Sequence, residues 1–262
     1  MRITWVATIL LAGGIPALPA ELFGVFKGAE LDARLAGLQK DEIIHQGSNF
    51  TISLNALSAP GALETNDDDA DQVLFVRRGS GAILLAGRLH RVGAGDVINL
   101  PRKTRYQLRT PSGRIEYVAV RISGEGRPLS RGVWSNDIFL RTVLPASEIA
   151  AEFAGGMTHL IQTAPAFFMA YSIYDNEWGP WESHVHQGHI YVVGTGHAIA
   201  ELGGQIQDPK VEGDKILGSG VTGAQSYELG PGDIVVIPQD TAHHMALRKE
   251  RLGYLLIQLR YP

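Results

Sequence analysis

Of the nine histidines in the chain, three stand within six residues, in Ser183-His184-Val185-His186-Gln187-Gly188-His189. Two more, His243 and His244, close the stretch Gly230-Pro231-Gly232-Asp233-Ile234-Val235-Val236-Ile237-Pro238-Gln239-Asp240-Thr241-Ala242-His243-His244. Neutral imidazoles gathered at one point suit a divalent transition metal. Residues two apart on a strand share a face, which predicts that His184 and His186 look the same way and that His244 turns away from His243. Glu182 and Glu201 flank the cluster, and either is a candidate general base. Tyr171, Tyr174, Trp178, Trp181 and Tyr191 are candidates for a pocket wall suited to an aromatic or cyclic organic substrate. Glu182, Glu201 and Tyr191 are the candidate catalytic residues; His197 reads as structural.

Strands must carry these groups. Phe50-Thr51-Ile52-Ser53-Leu54 and Ile115–Val120 alternate polar and apolar residues, as half-buried strands do. Turn residues such as Ser58-Ala59-Pro60-Gly61 separate such runs. Two short helices are predicted. One covers Glu30–Gln39, with Leu31, Leu35 and Leu38 at helical spacing. The other covers Ser147–Phe153, with Ser147 as N-cap, and ends before Gly155-Gly156.

The chain also repeats itself. Val73–Ile83 answers His189–Gly196, and Gly93-Ala94-Gly95-Asp96 through Pro101 answers Gly230-Pro231-Gly232-Asp233 through Pro238. Repetition of this kind predicts two similar β-barrels. The copies differ where chemistry would sit. Tyr106 stands five after Pro101, where His243 stands five after Pro238, and Gln72 stands seven before Gly79. No His-x-His precedes Gln72; the chain there is Asn66-Asp67-Asp68-Asp69-Ala70-Asp71, a solvated loop or an oxygen site for a hard cation. The second copy carries an insertion over Gly203–Gln225, read either as a substrate lid or as a surface hairpin. As a lid, its deletion would change substrate handling and leave metal content intact.

The pattern resembles the cupin family. The family's second motif runs Gly, five residues, Pro, one residue, Gly, two residues, His. Here Gly232 is followed by five residues, Pro238 and then His243, with Asp240 where the family has glycine. The first motif begins with Gly, passes through His-x-His and closes with Glu and Gly. Here four residues, rather than five, separate Gly179 from His184. Counted back seven from Gly196, the glutamate position is His189, which follows His186 after two intervening residues instead of three or four. Counted back from Gly194 it is Gln187; neither count finds a glutamate. The resemblance implies His184, His186 and His243 as metal ligands, with His189 in place of the glutamate as a fourth.

It covers residues 45–262 and implies an all-β chain of two tandem cupin barrels, of the double-stranded β-helix or jelly-roll type, with a few short helices. Residues 21–125 would form an N-terminal barrel without the metal site, 126–160 a linker with a short helix, and 161–262 the metal-binding barrel. An all-histidine divalent centre keeps its full charge and polarises a bound oxygen donor. With iron, a dioxygenase acting on an aromatic or diketone-like molecule is the first expectation. With zinc, manganese or nickel, an isomerase, cyclase or lyase is the alternative. A non-catalytic small-ligand or metal-binding protein is the alternative from another class.

Composition bounds the rest. The chain has 262 residues, enough for two domains, with 45% hydrophobic and 19% charged residues. A formal charge of −4 gives no reason to expect nucleic acid or an anionic membrane as partner. With no cysteine, disulfides, thiolate metal sites and thiol nucleophiles are excluded. Residues 1–20 read as a secretory signal, with Arg2, an apolar run from Ile3 to Leu18, and Ala20 before the cut. The expectation is a secreted or periplasmic protein, off the membrane after cleavage, as a monomer or homodimer.

Overall fold

A computed structural model of the chain describes residues 22–262, apart from 67–68, 86, 125–142, 157, 165, 176–178 and 249. The expected leader, most of the linker, Asp67-Asp68 and Trp178 lie outside the described residues.

The fold is all-β, with two helices among the described residues. In the N-terminal half, one sheet orders its strands Val143–Leu144, Val97–Leu100, Ala70–Arg78, Arg114–Ser123, Phe50–Ser58 and Glu42–Gln46. A second sheet orders Gly61–Asn66, Arg105–Thr110, Ser80–Leu85 and Arg88–Gly93. In the C-terminal half, one sheet orders Gly24–Phe26, Ile234–Ile237, Gln187–Thr195, Leu252–Arg260, Phe167–Tyr174 and His159–Thr163. Its partner orders Lys210–Glu212, Lys215–Gly218, Trp181–His184, His243–Leu247, Ala198–Leu202 and Gln225–Leu229. A ribbon of Gln205–Gln207 and Gly220–Thr222 completes the insertion.

The two six-stranded sheets that begin these descriptions pack back to back, and period-2 alternation decides what each buries. Along Ala70–Arg78, Val73 and Phe75 enter the core shared by the halves, while Leu74 and Val76 enter the N-terminal half's own core. Along Gln187–Thr195, Ile190 and Val192 face the shared core, while Tyr191 and Val193 face the interior of the C-terminal half. Because both faces are covered, such strands read as unbroken apolar runs. Phe167, fully buried in the shared core, marks how much rests there: truncation to alanine costs about 3–5 kcal/mol.

Both helices brace that arrangement. Helix α1 (Gly28–Gly37) buries Leu31 and Leu35 in the shared core. Its N-terminus is capped from far along the chain: the Asp233 carboxylate accepts from the Gly28 N–H at 2.7 Å. Helix α2 (Ala146–Gly155) begins one residue earlier than expected. Ser147 is inside it, Pro145 occupies the N-cap position, and the cap is the Asp96 carboxylate, which accepts from the Ala146 N–H at 2.8 Å. Asp96 and Asp233 are the repeated Gly-x-Gly-Asp aspartates. Each also closes its own turn, onto the Gly93 N–H at 2.8 Å and the Gly230 N–H at 2.9 Å.

The repeated glycines have a shared reason too. Gly79 and Gly196 both adopt φ +77°, and a Cβ there would meet the carbonyl oxygen of Arg114 at 1.8 Å and of Arg251 at 1.9 Å. The strands cross the boundaries expected from sequence. Gly24–Phe26 pairs with Ile234–Ile237 in the C-terminal half, and Val143–Leu144 from the linker pairs with Val97–Leu100 in the N-terminal half.

Candidate metal centre

The strand Trp181–His184 and the strand Gln187–Thr195 lie in facing sheets of the C-terminal half, joined by a bend at Val185-His186. Alternation along the first turns Glu182 and His184 inward; alternation along the second turns His189 and Tyr191 inward. His243 opens the neighbouring strand His243–Leu247, with Glu182 as its cross-strand partner. His184, His189 and His243 are all buried, and one ring nitrogen of each lies within 4.8 Å of the others. Their ring centroids are 4.7, 5.4 and 5.4 Å apart.

His186 stands outside this group, which corrects the expectation that it shares a face with His184. The strand ends at His184, so alternation stops at the bend, where the His186 carbonyl accepts from the Tyr261 N–H at 2.9 Å. The residue two before His184 on the strand is Glu182. Its Oε1 lies 3.6 Å from Nε2 of both His184 and His243. The pattern is therefore Glu182-x-His184, four residues, His189, six residues, Gly196. A carboxylate does stand beside the histidines, ahead of His184 rather than after His186, where the sequence count looked for one.

The protonation pattern fits a metal. The His243 Nδ1 lies 2.9 Å from the Thr241 carbonyl oxygen, which only accepts, so the proton is on Nδ1 and the Nε2 lone pair faces the cluster. His189 Nδ1 meets the Tyr191 hydroxyl at 2.8 Å, which leaves its Nε2 for the centre. Tyr191 is thus a partner of the ring, and the structure gives it an orienting place. Nε2 of His184 and of His243 is buried without a hydrogen bond, and 3.6 Å to Glu182 is too long to supply one. An ion bound between the imidazoles and the carboxylate meets both needs.

Burial lowers the pKa of His184 and holds that of His189 well below the ordinary imidazole value, so both rings are neutral and ready to donate. Burial pulls the Glu182 carboxyl upward, but the facing His184, His243 and Lys215 outweigh it and hold it far below the usual carboxylate range. Lys215 comes from the insertion. Its ammonium donates to Glu182 Oε2 at 2.7 Å, because Lys215–Gly218 pairs with Trp181–His184 and sets Lys215 opposite His184.

The cluster lines a cavity of about 520 Å³ between the two sheets. Phe168, Tyr174, Tyr254 and Leu256 form its aromatic and apolar wall, and Gln187 and Gln258, hydrogen-bonded to each other, its polar end. Burial pushes the Tyr254 hydroxyl up to about 12 and that of Tyr191 well above the ordinary value, so both stay protonated. Tyr254 carries no motif signal; only its alternation with Leu256 and Gln258 along the last strand points to it.

Other expected wall and catalytic residues lie elsewhere. Tyr171 is in the shared core. Trp181 stacks on His244 with ring centroids 5.1 Å apart, and His244 Nδ1 donates to Glu201 Oε2 at 2.9 Å. Glu201 also accepts from the Ser226 hydroxyl at 3.3 Å and lies outside the cavity lining. Alternation is the reason: His244 and its cross-strand partner Glu201 occupy the strand face opposite to His243.

Structural likeness reaches over nearly the whole chain. A single-residue mutant of salicylate 1,2-dioxygenase from Pseudoaminobacter salicylatoxidans, in complex with gentisate, matches at TM-score 0.61 and 10% identity, over 93% of this chain and 84% of its own. A cupin 2 conserved barrel domain protein from Leptotrichia buccalis matches at TM-score 0.55 and 12% identity, over 90% of this chain and 96% of its own. The chain has the cupin fold. No family model matches the sequence, and no curated protein matches it. At such identities the likeness speaks for the fold alone, and the reading of the histidine cluster rests on this chain's own residues.

Proposed function

We propose that this chain is a metal-dependent enzyme acting on a small organic molecule, with dioxygenase as the first reaction class and iron as the first metal. The observation that carries the reading is the buried trio His184, His189 and His243 facing Glu182 in a cavity with one aromatic wall. These four residues hold the ion, in the C-terminal of two repeats of the fold. A divalent ion bound there would supply Lewis-acid polarisation of an oxygen donor, and iron would add reactivity with O₂. Tyr191 fixes the His189 ring, Thr241 fixes the His243 ring and Lys215 fixes Glu182. The cavity volume suits a small molecule, and the wall of Phe168, Tyr174, Tyr254 and Leu256 suits an aromatic or diketone-like one. The gentisate complex of the structurally similar salicylate dioxygenase supports that class.

The test is metal analysis of protein purified without chelator, beside His184→Ala and His243→Ala variants, followed by oxygen uptake with aromatic and diketone substrates. Iron present in the parent, lost from both variants, with substrate-dependent oxygen uptake, is the expected result. Absence of stoichiometric metal even after reconstitution would sink the reading and leave a binding protein in front.

One observation favours a second reading. The donors are imidazoles and one carboxylate, a set that zinc, manganese and nickel take as readily as iron. Zinc, manganese or nickel in place of iron, without oxygen uptake, would move the assignment to an isomerase, cyclase or lyase. Export belongs to the same proposal and rests on residues 1–20; N-terminal sequencing of the mature protein, expected to begin near Glu21, tests it.

A further inference from the structure

The overall charge hides an uneven distribution. Residues 72–123 hold ten lysines and arginines against two acids, Asp96 and Glu116, in a chain whose formal charge is −4. Arg77, Arg102 and Arg114 are neutralised in ion pairs with Asp32, Asp71 and Glu116. Arg88, Arg91, Arg105 and Arg109 belong to the four-stranded sheet of the N-terminal half and are exposed. Among the described residues none of these four is in an ion pair.

Cross-strand register sets them around one surface. Tyr106 and Leu108 are buried, so alternation turns Arg105, Gln107 and Arg109 outward. One row across the sheet reads Ala62, Arg109, Ala82, Arg91, and the next reads Glu64, Gln107, Leu84, Leu89. Ala82 and Leu84 are half-buried and Leu89 is 63% exposed. Two arginine-bearing strands therefore flank an apolar strip. Arg88 precedes Leu89 at the hairpin end of the sheet, and Arg109 is steadied by Gln107, whose Oε1 accepts from its Nε at 2.6 Å. Glu64 is the one acid in these two rows. Arg105 pairs with Asn66, where the acidic run of the chain begins, so the case rests on Arg88, Arg91 and Arg109 with Leu89.

The fold does not ask for this surface. In the second repeat the same rows read Ala246, Ile199, Glu228 and His244, Glu201, Ser226. Glu228 there answers Arg91, and Glu201 answers Leu84. The first repeat has a basic and apolar face where the second has an acidic one. Guanidinium groups grip phosphate bidentately, and a leucine held among them enters the apolar layer beneath the headgroups. A soluble acidic polymer would use the cations and leave the strip in water.

We infer that this face docks the protein on an anionic phospholipid surface. The inference stands independently of the metal centre and of export.

The test co-sediments the full chain with vesicles of phosphatidylcholine, alone or with about a third phosphatidylglycerol. The neutral vesicles measure whatever affinity the apolar residues 3–18 contribute by themselves. Binding to the anionic vesicles should be about tenfold tighter or more, and about 500 mM salt should abolish the difference. Arg88→Gln, Arg91→Gln and Arg109→Gln should each weaken anionic binding about fivefold, and Leu89→Ser about threefold. Arg34→Gln, exposed on α1, should leave it unchanged. Every substituted side chain is exposed, and an unchanged thermal melt checks that the fold is kept. Equal binding to the two kinds of vesicle would overturn the inference, as would undiminished anionic binding in the triple arginine variant. Binding to dextran sulfate without binding to vesicles would assign the face to a soluble polymer and overturn it too.

Discussion

At the residue scale, the centre makes distinct demands on neighbouring histidines. His184→Ala and His243→Ala should each lose stoichiometric metal, whereas His186→Ala should keep it, as read by elemental analysis after dialysis. Tyr191→Phe removes the hydroxyl that meets His189 Nδ1, and metal affinity should fall about tenfold in a chelator competition. Acid should act in one direction. His184 and His189 are held below the ordinary imidazole value, so the unfolded chain takes up protons below about pH 6.5 that the folded chain refuses. Stability of the metal-free protein is therefore full above that value and is lost as pH falls towards the folded pKa values. Urea midpoints measured between about pH 7 and 5 should drop, and the slope should be shallower in His189→Phe. His243 was legible because a glycine, a proline and a fixed count lead to it. Glu182 was legible only as a nearby base, because nothing in Val185-His186 announces that the strand has already ended. The metal motif therefore looked two residues out of step.

At the scale of elements, the insertion holds the site together more than it covers it. Lys215–Gly218 gives the ligand strand its hydrogen-bonding neighbour and brings Lys215 to Glu182. Replacing residues 205–222 with a tight turn should therefore weaken metal binding as well as change substrate handling, which a calorimetric metal titration will show. Retention of full affinity would restore the simple lid. Asp240 is a second element-level feature. It adopts φ +59° where the family motif has glycine, and its N–H donates to the His184 carbonyl at 2.8 Å. Asp240→Gly should be tolerated, while Asp240→Val should cost about 1–2 kcal/mol in denaturant melts. The strands themselves could be read from alternation, and the repeat from its glycines and aspartates. The capping of α2 could not, because Ser147 offers a local cap that Asp96, 50 residues away, displaces.

At the scale of the molecule, the repeat predicted two barrels, and the pairing of Gly24–Phe26 with Ile234–Ile237 was invisible because so short a strand carries no pattern. The Gly-x-Gly-Asp turns bind each half to a helix start: Asp233 holds α1 and Asp96 holds α2. Arg77 adds to the junction, donating to Asp32 at 2.9 Å and to the Gly232 carbonyl at 3.0 Å. Asp233→Ala should cost about 0.5–2 kcal/mol through the lost cap alone. Methyl probes in either half, such as Ala119 and Ala170, should then melt together in one shifted transition. Two separate transitions would show the halves to be independent.

The contact between Gly28 and Asp233 spans 205 residues of chain. A nascent polypeptide emerging from the ribosome presents this helix long before the aspartate that caps it. The edge strand beside that helix has no sheet to join until Ile234–Ile237 is made. Folding of this layer therefore waits on a partner some 200 residues further along the chain, and is slow by its topology. Until then the segment ahead of the first barrel stays open and threadable, the form that the proposed export would require of a chain entering a translocation channel.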